Sequence, residues 1–472
     1  MEHYLDNEID QMRKKLDDSY IDPEFKNQVL QFLLEGRMGI PKATEMICSA
    51  FLKINKVYTI RDDNLTEMWI YKEGIYIPEG KSFIKEFCRE VLEDSYKITI
   101  VNMVIAKIEV DTFIEMKTFF SIENPWEIAV KNGILNTKTR VLTDFTHEKR
   151  FFTKINAEYK EGAKIDKIGK FLEDILDKED VPVIQEMVGF VLVRKYFLEN
   201  AFMLLGSGAN GKTRLLTLIE NFLHSDNCVS VPLHQLLNEQ FAMGELHNKM
   251  VNISGDISNK TLNETGLFKQ ITGSDPITGN RKYKTRLTFT NHAKLINSCN
   301  ELPKTRDSTH GFFRRWVLIE FKNRFVKAKE FEFMLDDEKK FSKIANPDII
   351  QEIMDEEEMS GMLNWALDGL KRLIMNNGFS YNQTAKEVKL KWLRLSNSFH
   401  AFFMDKLKKD HDEYETKGNL RQAYSKYCHQ YDLKPENDKF IKQTMEDSGC
   451  WEERKRIDEE RVSCWCGISL KK

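Results

Sequence analysis

A glycine-rich segment between two apolar runs constrains this chain more than any other feature. Ala201–Leu205 reads AFMLL, which is typical of a buried strand, and a helical pattern starts at Arg214. Between them lie the residues of a Gly-x4-Gly-Lys-Ser/Thr pattern: Gly206, Ser207, Gly208, Ala209, Asn210, Gly211, Lys212 and Thr213. Glycines let the backbone N–H groups turn towards phosphate oxygens, and the helix N-terminus adds positive partial charge. We therefore predict a P-loop that binds ATP with Mg²⁺, in which Lys212 reaches the β/γ-phosphates and Thr213 is a magnesium ligand.

Further polar residues follow the apolar runs of the next hundred residues. Asp256 ends the run HNKMVNISGD, Asn300 ends AKLINSCN, and Arg314 and Arg315 precede WVLIEF. A carboxylate at Asp256 can hold magnesium, directly or through water, and can polarise the attacking water, which Asn300 can orient. An arginine can stabilise charge on a neighbouring subunit's nucleotide. We expect hydrolysis, with Arg315 as this arginine finger and Arg314 as a structural or sensing residue.

The segments GLFKQITGSDPITGNRKYK and AKLINSCNELPKTRDSTHGFFRRW resemble the superfamily-3 helicase domain of phage and plasmid primase–helicases and of poxvirus-type replicative helicases. PWEIAVKNGILN and VIQEMVGFVLV resemble the helical domain that precedes the motor in that family. The resemblance implies an AAA+-like core assembled as a hexameric ring, ATP sites at subunit interfaces, single-stranded DNA in the central channel and 3′-to-5′ movement.

Two departures from the family pattern affect these expectations. Many members carry two adjacent acids where this chain has Gly255 and Asp256, which puts the catalytic base in doubt. Many relatives also carry an upstream primase domain, for which the segment before Trp69 is too short. We therefore expect no priming activity from this chain, with a separate primase or an origin-binding protein as a possible partner.

Positive charge is concentrated in Gly279–Lys294, although the chain has a net charge of -3. The stretch contains no acid, and Gly279-Asn280 predicts a turn. It could follow a phosphate backbone and offer an aromatic surface. The family resemblance places the channel hairpin here, which makes Lys282 and Lys284 the leading contacts. The DNA-binding prediction comprises Arg281, Lys282, Tyr283, Lys284 and Arg286, with Lys294 in the same stretch. The alternative is a solvated basic loop.

The pattern of apolar residues predicts a multidomain α/β protein: an AAA+-like P-loop NTPase core with a helical N-terminal region and a C-terminal winged-helix domain. The predicted divisions are a helical segment (1–60), a mixed helical and hairpin domain (61–195), the superfamily-3 ATPase core (196–330), a helical acidic connector (331–395) and a winged-helix-like domain (396–472). DNA contact and protein contact stay equal alternatives for the last of these.

The predicted function is that of an ATP-dependent replicative DNA helicase of a virus or plasmid, acting on single-stranded DNA as a homohexamer. No stretch approaches 18 uninterrupted apolar residues, and the acidic start lacks the order of a signal peptide, so we expect a protein of the host cytosol with no membrane partner. Two alternatives stay open: a P-loop motor for DNA packaging or remodelling, and an origin-binding protein that uses nucleotide only to assemble.

Overall fold

The computed structural model describes residues 21–61, 66–255, 257, 260–262, 265–281, 284–305, 307–340, 342–381, 383–431, 433–457 and 460–471. The chain divides into two compact units, Met1–Asn136 with Arg140–Ile155, and Thr137–Thr139 with Asn156–Lys472. Within the described ranges, no helix is long and apolar enough to cross a membrane.

The first unit is a mixed α/β structure. Its helices are α1 (Pro23–Leu34), α2 (Ile40–Ile54), α3 (Gly80–Leu92), α4 (Ile98–Asp111) and α5 (Met116–Phe119). Its strands are β1 (Val57–Ile60), β2 (Glu67–Lys72), β3 (Ile75–Ile77), β4 (Phe113–Ile114), β5 (Glu127–Val130), β6 (Gly133–Asn136) and β7 (Leu142–Thr143). They form one sheet in the order β3-β2-β1-β4 and another in the order β5-β6-β7. Apolar residues of the longer helices pack on β1 and β2 to form the core of the unit.

Two tight hairpins, β2–β3 and β5–β6, and a break between two helices shape this unit. Glu73 and Gly74 connect β2 to β3 with φ angles of 48° and 91°, as a two-residue hairpin turn requires. The helical pattern from Ser82 to Ile108 corresponds to two helices in the structure, since α3 ends at Leu92 and α4 begins at Ile98. Glu93 has a φ of 44°, which a continuing right-handed helix does not allow.

The second unit contains the remaining elements. Its helices are α6 (Lys167–Ile175), α7 (Val181–Val191), α8 (Lys212–Leu223), α9 (Leu233–Asn238), α10 (Gln240–Gly244), α11 (Thr265–Ile271), α12 (His310–Phe313), α13 (Ala328–Phe333), α14 (Asp336–Lys339), α15 (Ile349–Ile353), α16 (Glu356–Asn376), α17 (Ala385–Ser396), α18 (Ser398–Lys406), α19 (Lys417–Gln430) and α20 (Asp438–Asp447). Its strands are β8 (Ala201–Leu205), β9 (Cys228–Val229), β10 (Val251–Ser254), β11 (Pro276–Arg281), β12 (Lys284–Thr290), β13 (Lys294–Cys299), β14 (Trp316–Glu320), β15 (Arg324–Val326), β16 (Ser342–Ile344), β17 (Leu407–Thr416), β18 (Trp451–Ile457) and β19 (Glu460–Leu470).

A parallel sheet in the order β14-β8-β13-β10-β9 forms the centre of this unit. All five residues of β8 are buried, as expected of a central strand covered on both faces. Since β13 and β14 flank β8 in parallel, the segments after β8 and β13 meet at the carboxyl edge of the sheet, where ligands bind in open α/β sheets.

The helical pattern from Lys167 to Val193 corresponds to two helices in the structure, α6 and α7, with a break between them. Pro182 lies at the start of α7, a position that accepts proline because the first N–H groups of a helix need no intrahelical acceptor. The helix α7 packs on α16, and there the buried carboxylate of Glu186 accepts hydrogen bonds from Arg372 (2.6 Å) and from the backbone N–H of Ser380 (2.7 Å). These bonds satisfy a charge that would be costly to bury alone.

The C-terminal part contains the helices α18, α19 and α20 and a final hairpin, together with a strand that the sequence pattern did not indicate. The sheet has the order β17-β19-β18, and the apolar faces of α18, α19 and α20 pack on it. The missed strand, β17, reads LKKDHDEYET, which lacks apolar alternation, and nine of its ten residues are not buried. Its pairing with β19 is therefore a tertiary effect, with Leu407 opposite Leu470.

Candidate functional site

The glycine-rich loop connects β8 to α8 at the carboxyl edge of the central sheet. Gly211 has a φ of 88°, in the left-handed region that favours glycine, and it immediately precedes the first residue of α8. A Cβ atom on Gly206 would lie 1.8 Å from Nδ2 of Asn210, so the loop folds back too closely for a side chain there. The sequence thus dictates a tight loop that ends at a helix N-terminus.

Lys212 connects this loop to the adjacent strand. Its side chain is buried, and Nζ lies 3.2 Å from Oδ1 of Asn210 and 3.4 Å from Oδ1 of Asn300. Nζ also donates to the carbonyl oxygen of Gly206. The structure therefore brings Lys212 and Asn300, separated by 88 residues in sequence, to one point. An ammonium group beside an amide, at the edge of a glycine loop, can bind a polyanion and orient a water molecule.

A cavity of 590 Å³ opens beside Lys212. The loop with Thr213 and Asn300 lines it together with a group of apolar residues, called the apolar wall below: Phe171, Ile175, Phe325, Ile344, Ala345, Pro347 and Ile349. The volume is within the range of small-molecule sites, and a glycine-rich loop with a lysine beside apolar lining residues suits a nucleotide. Sequence reasoning missed the apolar wall, because its residues come from α6, β15 and the segment around and after β16 and share no local pattern.

Three of the predicted site residues, Asp256, Lys282 and Tyr283, lie outside the described residues. Arg281 and Lys284 are paired in the β11–β12 hairpin, and Arg286 on β12 is exposed, with its Nε 3.1 Å from Oδ1 of Asn280.

Two expectations about the basic stretch are wrong. Gly279 and Asn280 do not form a turn, because they lie within β11, where a β-bulge falls between Gly279 and Arg281. Lys294 begins β13 and is fully buried, so it is not available to nucleic acid. Its Nζ donates to the carbonyl oxygens of Val193, Lys195 (3.1 Å) and His292 (2.9 Å), and burial lowers the pKa of this amine well below its ordinary value.

The two arginines before β14 have different surroundings. The side chain of Arg315 is 9% exposed, and it donates to Oγ1 of Thr272 (3.1 Å) and to the carbonyl oxygen of Gly311 (2.5 Å). The side chain of Arg314 is 44% exposed, and both guanidinium groups form ion pairs with Glu199. Burial lowers the pKa of Arg315.

The segment that follows Asn300 is tied to the C-terminal part of the same unit. The carbonyl oxygen of Pro303 accepts a hydrogen bond from Nε1 of Trp392 (2.9 Å), in α17. One residue later, Nζ of Lys304 lies 2.7 Å from Oε1 of Glu436, which also accepts from Nδ2 of Asn397 (2.9 Å). Asn300 is thus connected to the C-terminal helices through a few residues.

Two family models match the chain. Residues 44–177 match a family described as D5 N terminal like, and residues 204–315 match a family of unknown function, DUF5906. The second match includes the glycine-rich loop, Asn300 and both arginines.

The chain is also similar to several viral proteins. A protein of Acanthamoeba polyphaga mimivirus named as a helicase, L207/L206, is 26% identical over 59% of this chain and 32% of its own length. Primase D5 of Fowlpox virus is 23% identical over 57% of this chain and 34% of its own length. A protein of Invertebrate iridescent virus 3 named as a helicase, 121R, is 26% identical over 62% and 34% of the respective chains. The chain therefore spans about a third of the length of these relatives.

Among solved structures, the C-terminal region of NrS-1 aligns with a TM-score of 0.44 and 14% identity, covering 89% of this chain and 98% of that one.

Proposed function

We propose that this chain, which is similar to D5-type primases and helicases of viruses, is an ATP-hydrolysing replicative DNA helicase of a virus or plasmid. The observation that carries the proposal is the meeting of Lys212 with Asn300 at the edge of the cavity beside the glycine-rich loop. A module that only binds nucleotide needs the loop and the lysine. A polar amide beside the position of the terminal phosphate is a part that hydrolysis requires.

In this proposal the unit centred on the parallel sheet is an AAA+-like P-loop NTPase core, and its C-terminal part is a winged-helix domain. The parallel order β14-β8-β13-β10-β9, with the loop directly after β8, supports the first assignment. The order helix, strand, helix, helix and hairpin from α18 to β19 supports the second. Several cations of this C-terminal part form ion pairs within it, for example Arg421 with Asp438 (2.7 Å) and Lys417 with Glu452 (2.8 Å), which supports protein contact as much as DNA contact.

ATP would place its phosphates at the loop and its base against the apolar wall of the cavity. The donor set fits magnesium, since Thr213, with its hydroxyl group, lines the cavity and Asp256 follows the strand β10 by two residues. When bound, Mg²⁺ supplies positive charge to the phosphate oxygens. Lys212 supplies a second positive charge, and Asn300 orients the water that attacks the terminal phosphate.

The proposed working form is a homohexameric ring on single-stranded DNA, in which an arginine completes the nucleotide site of the neighbouring subunit. The exposure of Arg314 and the internal hydrogen bonds of Arg315 support Arg314 for this role, in place of the Arg315 that the sequence favoured. The proposed contact with DNA comprises Arg281, Lys284 and Arg286 of the strands β11 and β12, together with Lys282 and Tyr283 of the same basic stretch.

One set of measurements tests the proposal: the ATPase rate with and without single-stranded DNA, together with unwinding of a forked duplex. A helicase gives DNA-stimulated turnover and strand separation. Stimulated turnover without separation would favour a packaging or remodelling motor. Nucleotide binding without turnover would favour a protein that uses ATP only to assemble.

A further inference from the structure

Glu199 lies at the point where the two arginines meet the central sheet. It precedes β8 by two residues, and β8 pairs in parallel with β14, so that Ala201 lies opposite Trp316 and its N–H donates to the carbonyl oxygen of Arg315 (2.7 Å). This register sets the Glu199 carboxylate against the guanidinium groups of both arginines. Nη2 of Arg315 lies 2.9 Å from Oε2 of Glu199, and Nη2 of Arg314 donates to the same oxygen.

The two arginines depend on Glu199 to different degrees. Arg315 also donates to Thr272 and Gly311, so Glu199 is one of several partners that hold it. Among the described residues, Glu199 is the one side chain that forms an ion pair with Arg314. A solvent-exposed arginine otherwise samples many rotamers, and a fixed carboxylate removes most of that freedom.

We propose that Glu199 is a positioning residue that orients the guanidinium of Arg314 towards the nucleotide of the neighbouring subunit. This inference rests on the proposed function, in which Arg314 acts in trans. Glu199 itself does not touch the nucleotide. Because the pair is exposed, with side-chain exposures of 44% and 41%, it contributes little to the stability of the fold. Its effect is therefore on the geometry of catalysis, where a misplaced group is costly.

The first experiment measures steady-state ATP turnover by the full chain with Glu199→Ala. We expect kcat to fall by about 10- to 100-fold, as for a displaced catalytic group. The KM for ATP should stay within about twofold, because a group that acts only in the transition state does not change ground-state binding. A matched control is Glu115→Ala, which removes an exposed glutamate from an ion pair with Arg61 in the first unit and should leave turnover unchanged. Unchanged or increased turnover with Glu199→Ala would overturn the inference.

Glu199→Gln provides a second variant, since it keeps the size of the side chain and removes its charge. We expect a smaller loss of kcat in the same direction. If Glu199→Ala fails to fold, the kcat of Glu199→Gln tests the inference in its place.

The second experiment separates a positioning role in trans from support of the subunit's own site. A Glu199→Ala protein is mixed with a Lys212→Ala protein, and turnover is compared with that of each protein alone. In mixed oligomers, an intact Lys212 of one subunit meets an intact Glu199–Arg314 pair of the next, so turnover should rise above the sum of the separate proteins. A parallel mixture of Arg314→Ala with Lys212→Ala tests the proposed finger itself.

The outcomes are distinguishable. Recovery in both mixtures supports the inference. Recovery with Arg314→Ala but not with Glu199→Ala overturns the role of Glu199 and leaves the finger in trans intact. Recovery in neither mixture, although mixed oligomers are shown to form, overturns the finger in trans and the inference that rests on it.

Discussion

Replacing Lys212 by Ala tests the candidate site most directly. In the structure, Nζ of Lys212 contacts three oxygens, those of Gly206, Asn210 and Asn300, and the last two of these residues line the cavity. In a nucleotide complex the same ammonium exchanges these contacts for phosphate oxygens. Loss of one donor aimed at developing charge costs about 3–4 kcal/mol, or a factor of about 10²–10³ in rate. Since Lys212 also carries a full charge, we expect turnover to fall by at least about 10³-fold.

The same substitution should have little effect on the stability of the fold. Although Lys212 is only 4% exposed, it borders the 590 Å³ cavity, so water can reach the three oxygens when the ammonium is removed. We expect the free energy of unfolding to change by about 1 kcal/mol or less, equivalent to about 1–2 °C in Tm for a chain of this size.

The assay measures phosphate release at saturating ATP, together with nucleotide binding and thermal unfolding of each variant. Lys212→Met keeps most of the side-chain length without the charge, and should lose turnover to the same extent as Lys212→Ala. Lys42→Ala, which removes an exposed lysine paired with Glu35, is a control that should leave turnover unchanged. Near-normal turnover by both Lys212 variants would refute the assignment of the nucleotide site. Loss of turnover together with a large loss of stability would mean that Lys212 supports the fold.

Three further predictions concern other parts of the chain. Burial raises the pKa of Asp180 from 3.8 to about 6, so its ionisation destabilises the folded state as the pH rises through this interval. Asp180→Asn should therefore raise the free energy of unfolding by about 1 kcal/mol at pH 7, a value that already allows for the partial exposure of Asp180. A gain in Tm at pH 4 as large as the gain at pH 7 would refute this prediction. Replacing both Lys282 and Lys284 by Ala should reduce the slope of log affinity for single-stranded DNA against log salt concentration. The expected reduction is about 0.7 for each phosphate that the protein no longer neutralises, while basal ATP turnover persists. An unchanged slope would place the DNA-binding surface elsewhere. Trp392→Phe leaves the carbonyl oxygen of Pro303 without its hydrogen-bond donor. We expect the free energy of unfolding, measured by chemical denaturation, to fall by about 1–3 kcal/mol. An unchanged free energy would mean that this hydrogen bond is dispensable.

Local patterns predicted the parts of the site that lie next to each other in sequence. The apolar run of β8, the glycines and the start of α8 are consecutive, and each has a strong local preference. The strand that ends before Asn300 was likewise predicted from its apolar residues. What the sequence could not supply is the order β14-β8-β13, which brings Asn300 within 3.4 Å of Lys212.

The errors have a common physical origin. Lys294 was grouped with the basic residues near it in sequence, but the start of a central strand places it in the core, where carbonyl oxygens satisfy its donors. Likewise, Gly279 favoured a turn by local propensity, yet it lies in β11, where a Cβ atom would meet the backbone of Gly244 at 2.6 Å. In both cases distant parts of the chain decided the outcome, and no local pattern reports them.

The contacts that Pro303 and Lys304 make with the C-terminal part of the chain limit which insertions and deletions this protein can accept in evolution. Only three residues separate Asn300 from Lys304, and four residues of extended chain span at most about 14 Å. An added residue there would shift Asn300 away from Lys212 or break the contacts with Trp392 and Glu436. Exposed loops usually tolerate insertions, whereas this short segment is held by side-chain contacts at both ends. Among related proteins, the segment is expected to vary in composition while its length stays the same.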